Sequence, residues 1–571
     1  MEIAVFTHAA VDFTAHARPF LHIVIPLQSS CHGFGRDGCA LGMGVARPCG
    51  LTASNSEYKH LVFLSFPRLL VVLCHSSYFI LWMDQLRFKY AKVTAYPIWR
   101  AFYNIYLHPL RIYPGPKLAV VSKAYYYYWT LSGKLHSKIK EVHDQYGDVV
   151  RFGPNTLLYR SPTGWKDIYS HRDAGADSFV KDPELYIQGP AGPSILNAND
   201  ADHSRMRRLL SHALSDKALR EQEPLLQSYV DLLVKRLQGH VDSSSNSVDM
   251  TKWYNYTTFD IIGDLSFGES FDCLKNSDYH PWVTAVFQSA KVGVFMRPLV
   301  ALLPLWLVGK MIPAKVKQMR NHHYLMSKDK VDRRLRVKSS RPDFMTYILK
   351  HGDGKGMNQN EIESNGAILI LAGSETTASL LCGLTFYILK NERTYKRLVD
   401  EIRGSFQSEE EINVASASAL PYLHAVVAES LRMYPPVPGI ITRIVPDGGS
   451  IIDDKFVPGG TVVSMAFFSA FHSKDNFAEP DSFIPERWLN GIDPKFAFDN
   501  RDVMQPFSIG PRNCLGRNLA YAEMGLIVTK LLWNFDMTLE KDSYAWDDQR
   551  SFIIWEKPPL MVNLTSHDTL L

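Results

Sequence analysis

The sequence predicts a mainly α-helical protein with a small β portion, one large domain behind an N-terminal membrane anchor. Three observations predict this. Apolar residues recur at helical spacing over Lys134–Tyr146, Ala201–Leu214, Leu225–Leu237, Glu361–Lys390, Arg393–Arg403 and Leu420–Tyr434. Strand-like runs are few and short, near Val149–Phe152, Thr156–Tyr159, Val462–Met465 and Leu560–Leu564. Beyond a proline-rich joint at Tyr113-Pro114-Gly115-Pro116 there is neither an internal repeat nor a low-complexity linker, so 113–571 reads as one domain.

Composition narrows the function classes. The 571 residues carry 62 Lys+Arg against 58 Asp+Glu, a formal charge of +4, with 46% hydrophobic and 21% charged residues. That balance belongs to a folded chain and excludes a disordered one. The small charge and the lack of a Lys/Arg-rich run argue against nucleic acid as a partner. The seven cysteines are odd in number, cluster only at Cys31, Cys39 and Cys49, and form no C-x-x-C pair. Zinc ribbons, thioredoxin-like sites and a disulfide framework are thereby disfavoured, and reduced thiols facing the cytosol fit best.

From the N-terminus, residues 1–60 show little periodicity and read as an unexplained, disordered leader. Gly33-Phe34-Gly35-Arg36-Asp37-Gly38 matches G-x-G-x-x-G, but without a surrounding strand–turn–helix unit it is not a dinucleotide site. Leu61–Met83 is apolar over the ~20 residues a bilayer requires. Pro67, Arg68 and His75 interrupt it, and Arg68 at depth would cost about 2.5–3.5 kcal/mol. A shorter span after Arg68, an interfacial helix and a buried core helix are the alternatives. Arg87, Lys89, Lys92 and Arg100 follow the stretch while Lys59 precedes it, which orients the body to the cytoplasm. Residues 84–112 read as the linker, with a breaker at Pro109. Asn255-Tyr256-Thr257 and Asn563-Leu564-Thr565 fit glycosylation sequons, which a cytoplasmic body leaves unmodified.

Four motifs carry the chemistry. In Phe507-Ser508-Ile509-Gly510-Pro511-Arg512-Asn513-Cys514-Leu515-Gly516, the cysteine precedes an apolar helical pattern from Leu519, so free helix amides can face its sulfur. Gly510 and Gly516 permit close backbone approach, Arg512 offers a fixed cation for a carboxylate, and Phe507 can shield the sulfur. Cys273 and Cys382, without such surroundings, read as small core residues. In Ala372-Gly373-Ser374-Glu375-Thr376-Thr377, hydroxyl and acidic groups interrupt an apolar helix, where Ser/Thr can bond back to the preceding turn and Gly373 leaves room for a ligand. The alternative is a Ser/Thr cap between two shorter helices. Glu429 and Arg432 stand at i and i+3, with Pro485-Glu486-Arg487-Trp488 some fifty residues on. His203-Ser204-Arg205-Met206-Arg207-Arg208 places His203 and Arg207 on one helical face; its alternative is a solvated basic surface where an acidic electron donor docks.

The segment Phe507–Gly516 resembles the heme-binding loop of the cytochrome P450 family, F-x-x-G-x-R-x-C-x-G, at every position. The resemblance covers roughly residues 100–565. It implies a heme b cofactor with Cys514 as the iron ligand, and Arg512, His203 and Arg207 as propionate contacts, His203 replacing a usual tryptophan. It implies that Thr376 hydrogen-bonds bound dioxygen and that Glu375 relays protons from solvent. Glu429, Arg432 and Arg487 become structural support behind the heme, with Trp488 replacing a usual phenylalanine. Pocket walls are expected from Gly373, Ile440, Ile441, Tyr186 and Phe552, within the segments Pro435–Ile441, Tyr186–Ile195 and Phe552–Trp555, and a membrane-dipping lid from Met296–Pro313. The implied partners are dioxygen, a hydrophobic small molecule, an endoplasmic-reticulum membrane, NADPH–cytochrome P450 reductase and cytochrome b5. H-S-R-M-R-R and Y-P-G-P-K look like fungal secondary-metabolism members, hence a terpenoid, polyketide or alkaloid substrate. Rival readings are a heme-thiolate isomerase or dehydratase acting on a peroxide, and a non-enzymatic heme sensor or carrier.

Overall fold

The computed structural model describes residues 95–567, apart from 173–176, 187–191, 244–245, 338–342, 350–355 and 492. The chain divides at Arg87, and Phe88–Leu571 forms one compact unit; Met1–Arg87 is the other part. That part lies outside the described residues, and with it the leader, the Gly33–Gly38 motif and the apolar stretch Leu61–Met83. The expected linker is helical where described: a helix through 102 is followed by a π-turn, Tyr103–Leu107, and a 3-10 turn, Pro109–Ile112. Pro109 begins that turn, needing no N–H there, and the His108 ring accepts the Leu110 N–H at 3.1 Å.

Five strands form the larger sheet, in the order Val149–Gly153, Thr156–Tyr159, Val462–Met465, Arg443–Ile444 and Val180–Lys181. Thr156–Tyr159 and Val462–Met465 pair in parallel and their neighbours antiparallel. A second sheet sandwiches Met561–Ser566 between Ser247–Asp249 and Phe535–Leu539. The remainder is mostly helix. The predicted segments appear as Leu135–Tyr146, Asp200–Ala213, Gln359–Lys390, Glu392–Ser405 and Pro421–Met433. Leu225–Leu237 is the middle of a longer helix, Asp216–Asp242, which tolerates Pro224 because that residue is on the solvent side.

One major helix left no periodic trace. In Met250–Phe267 every residue except Lys252 is buried, so no polar stripe marks a solvent face. It packs along Gln359–Lys390, the one helix among the described residues long and apolar enough to cross a bilayer, most of which is itself buried. Several of its polar groups are satisfied close by. Thr257 and Thr258 donate to the preceding turn, and the Asp260 carboxylate accepts the Phe271, Cys273 and Leu274 N–H groups at 2.8–3.1 Å. Asn255 lies within this helix, so its sequon is inaccessible to a glycan.

A buried ionic node joins the helix Pro421–Met433 to the turn Pro485–Trp488. Arg432 clamps Glu429 with two bonds of 2.7 and 2.9 Å, and Arg487 reaches the same carboxylate at 3.2 Å. Arg487 also pairs with Asp499, and the Trp488 indole donates to Glu429 at 2.8 Å. The side chains of Glu429, Arg432 and Arg487 have no solvent exposure. Such charges persist in a core because each lone pair and N–H has a partner.

Candidate active site

The loop Phe507–Gly516 ends in a tight turn that presents its cysteine. The Cys514 N–H donates to the Phe507 carbonyl at 2.8 Å, and Gly510–Arg512 forms a 3-10 turn. Gly510 sits at φ +75°, and a Cβ there would collide with the Tyr169 carbonyl, so only glycine is tolerated. The helix Arg517–Asn534 follows at once. Burial pushes the Cys514 thiol above its ordinary pKa, against the pull of the Gly516 N–H, Arg207 and Arg517. Around Gly516, by contrast, no protein atom would meet a Cβ, so the space beside it is open to the cavity it lines.

The opposite wall is the helix Gln359–Lys390, continuous over 32 residues. Asn358 and Glu361 close its start as a capping box. The Ser374 and Thr376 hydroxyls donate to the Ile370 and Ala372 carbonyls at 2.5 and 2.6 Å, so these residues are internal to one helix. Gly373 lines the cavity, but the room expected beside it is taken: a Cβ would stand 2.5 Å from Ile262 Cδ1 of Met250–Phe267. That glycine serves helix packing. Glu375 is not among the cavity-lining residues. It forms a buried ion pair with Lys557, whose amino group also reaches the Ser379 hydroxyl at 2.8 Å.

Between these walls lies a cavity of ≈ 1070 Å³ that brings Cys514, Gly516, Phe507, Gly373 and Thr376 together. Its apolar lining includes Leu210, Ile262, Phe344, Ile368 and Leu369. His203, Arg207, Arg512 and Lys181 supply nitrogen donors. Arg207 holds the Asn513 carbonyl at 2.9 Å, and Arg512 donates to Ala198 O and Asp200 at 2.9 and 2.5 Å. The other Arg512 amino group, Nη1, is buried without a partner. Burial and the nearby Arg512 lower the His203 pKa to about 4, leaving the ring neutral. Arg443 joins His203 and Arg512 around an adjoining cavity of ≈ 730 Å³.

This arrangement fits a heme. It offers a single thiol opening onto an apolar slot, an unfilled cradle at Gly516, and excess cationic donors at one rim, one of them orphaned. Two carboxylate-bearing side arms would satisfy those cations. A family model of cytochrome P450 matches residues 114–564. The chain belongs to the cytochrome P450 family. The cytochrome P450 monooxygenase astJ of Aspergillus oryzae is 49% identical over 473 residues, covering 82% of this chain and 95% of that protein. The cytochrome P450 monooxygenase atr2 of Stereocaulon alpinum is 47% identical over 476 residues, 83% and 94% of the two chains. The averantin hydroxylase of Dothistroma septosporum is 42% identical over 469 residues, 81% and 88%. As a P450 with such relatives, the protein is a heme-thiolate monooxygenase, an oxidoreductase that uses dioxygen, a substrate and a redox partner; the isomerase and sensor readings are not favoured.

The remaining expected wall residues stand elsewhere. Ile440 lines a separate cavity of ≈ 590 Å³ with Thr442, Leu185 and Arg297. Ile441 is tied into the larger sheet's edge by the Ser464 and Tyr169 hydroxyls. Tyr186 lies against the Lys181 amino group, 4.4 Å from its ring centroid. Phe552 is buried on Phe295, with ring centroids 5.5 Å apart.

Three residues of this P450 site escaped the sequence reading. Lys181 and Arg443 come from neighbouring short strands whose pairing only the fold reveals. Glu523 lies nine residues beyond Cys514 on the cysteine helix and lines the cavity. Both its carboxylate oxygens are buried without partners, and burial raises its pKa to about 8. A lone acid at the seventh position of this helix, inside the apolar run from Leu519 to Val528, was the available signal.

Proposed function

We propose that this P450 uses heme b to insert one atom of dioxygen into a hydrophobic small molecule of fungal secondary metabolism, the other atom leaving as water. Electrons come from NADPH through NADPH–cytochrome P450 reductase, with cytochrome b5 as a second donor. The catalytic domain faces the cytoplasm on the endoplasmic reticulum. The observation that carries the reading is that Cys514 and Thr376 face one apolar cavity. The averantin hydroxylase among the relatives favours hydroxylation, on a terpenoid, polyketide or alkaloid skeleton. Exposed Ile98, Trp99, Tyr106 and Leu118, which follow the expected anchor in sequence, and Trp306 in the segment Met296–Pro313, favour contact with lipid.

The chain's own side chains divide the work. Bound heme supplies the dioxygen-activating redox chemistry. Cys514 is its protein ligand, with Gly516, Gly510 and Phe507 shaping the loop around the sulfur. Arg512, Arg207, His203, Lys181 and Arg443 hold its carboxylates. The Ile262, Phe344 and Leu369 walls exclude water and hold an apolar guest. The Thr376 hydroxyl, now donating to Ala372, is the proton-handling group at the cavity face, and Glu375 is the acid behind it.

The deciding experiment is the absorption spectrum of the reduced carbon monoxide complex. The native protein is expected to give the red-shifted Soret band of thiolate ligation and Cys514→His to lose it. A native protein without that band overturns the reading. Terpenoid, polyketide and alkaloid panels, screened by the spectral shift on binding, then identify the guest.

A further inference from the structure

The separate cavity of ≈ 590 Å³ lies where the helices Ala124–Ser132 and Pro281–Leu302 meet the larger sheet. Its size is that of a small-molecule site. Tyr126, Phe152, Leu185, Ile440 and Val462 give it an apolar wall. The heme cavity adjoins it at one strand end, since Lys181 lines the first and its neighbour Asp182 the second. The charges in it are unevenly satisfied. Glu184 is bonded by both Lys123 and the Tyr127 hydroxyl, so those three answer one another. Asp182 accepts the Glu184 N–H at 3.0 Å, and burial favours its neutral form. Arg297 is left over. Its guanidinium donates to the Leu185 carbonyl, at 3.4 Å, and makes no ion pair among the described residues; Glu184 feels its charge without bonding it. The Thr442 hydroxyl is buried without a partner, the residue being 5% exposed. Asp182 stands near enough to feel that hydroxyl but is not bonded to it.

We propose that this cavity binds a carboxylate carried on an apolar body, with the Arg297 guanidinium and the Thr442 hydroxyl as its donors. A planar guanidinium matches a carboxylate in both shape and charge, and the threonine adds a neutral O–H from the sheet side. The aromatic and aliphatic wall takes the body. The two acids already present do not bar such a ligand, because Glu184 is held by its own partners and Asp182 is driven toward its neutral form. A buried hydroxyl that bonds nothing destabilises the fold, and a ligand oxygen would relieve it. Ligands of this chemistry have two sources: the acid end of the guest oxidised at the heme, or a lipid acid. The first source rests on the monooxygenase reading; the site itself does not.

The test uses the full-length heme-loaded protein and four probes: dodecanoate, 2-naphthoate and their methyl esters. Binding is read by calorimetry, with the heme Soret band followed in parallel. At least one acid should bind about ten-fold tighter than its ester. Arg297→Gln should erase that preference by weakening the acid alone, and Arg297→Lys should keep part of it. Thr442→Val should weaken the acid about three-fold while raising the unfolding temperature, because it removes an unsatisfied group. A threonine with a structural role only would lower that temperature and leave the preference intact, which overturns its part in the site. Acids that bind no better than their esters, or a preference that survives Arg297→Gln, overturn the site as a whole. Acid binding with a Soret shift assigns the acid end of the guest, and acid binding without one assigns a lipid acid. An absent carbon monoxide band counts against the heme reading alone, since the calorimetric preference decides the site separately.

Discussion

Glu523 shows what one side chain can do to this fold's pH response. Its pKa rises from the ordinary 4.5 to about 8 because burial strips the charged form of water, the Thr377 hydroxyl offering slight relief. Between those values the folded chain retains a proton that the unfolded chain releases. Its stabilising contribution is therefore complete below pH ~4.5 and is lost as pH rises toward ~8, by about 1.4 kcal/mol per pH unit within the window. Glu523→Gln should abolish this slope and unfold later than the parent at pH ~8, as thermal unfolding across pH will reveal. Residue-scale chemistry was the most legible part of this sequence: Cys514, Arg512, Phe507, Gly516, His203, Arg207 and Thr376 meet at one cavity. Glu375 did not join them, because it stands about 200° round the helix from Gly373, on the face turned from the cavity.

At the scale of elements, the ionic node of Glu429, Arg432, Arg487 and Asp499 is a single mechanical joint. Glu429→Ala would leave the buried Arg432 guanidinium with only backbone carbonyls as oxygen partners, while Arg487 keeps Asp499. A loss of about 3–5 kcal/mol is expected, read as a lowered unfolding midpoint and a reduced yield of heme-loaded protein. Helices with a wet and a dry face, such as Glu392–Ser405, were legible because periodicity records the contrast. Met250–Phe267 was illegible for the opposite reason: a helix surrounded by protein has no contrast to record. The two-residue strands Val180–Lys181 and Arg443–Ile444 are defined by their partners and leave no local pattern. Ile440 and Ile441 are likewise held by distant partners, Ala466 and Ser464, which no local pattern records.

For the whole molecule, the family match begins at residue 114 and the relatives align over about four-fifths of the chain. Residues 1–60 are therefore expected to be dispensable for the heme pocket. Removing them should leave the reduced carbon monoxide spectrum and the reductase-supported NADPH consumption unchanged. A truncated protein that fails to take up heme would instead make those residues part of the fold.

The smaller sheet has a consequence for the order of assembly. Its middle strand, Met561–Ser566, follows in sequence both strands it joins, Ser247–Asp249 and Phe535–Leu539. During synthesis the two flanking ribbons must wait, edges bare, for more than three hundred residues in the first case, until the keystone leaves the ribosome. Nascent chains of this enzyme should accordingly lean on chaperones until translation is nearly finished.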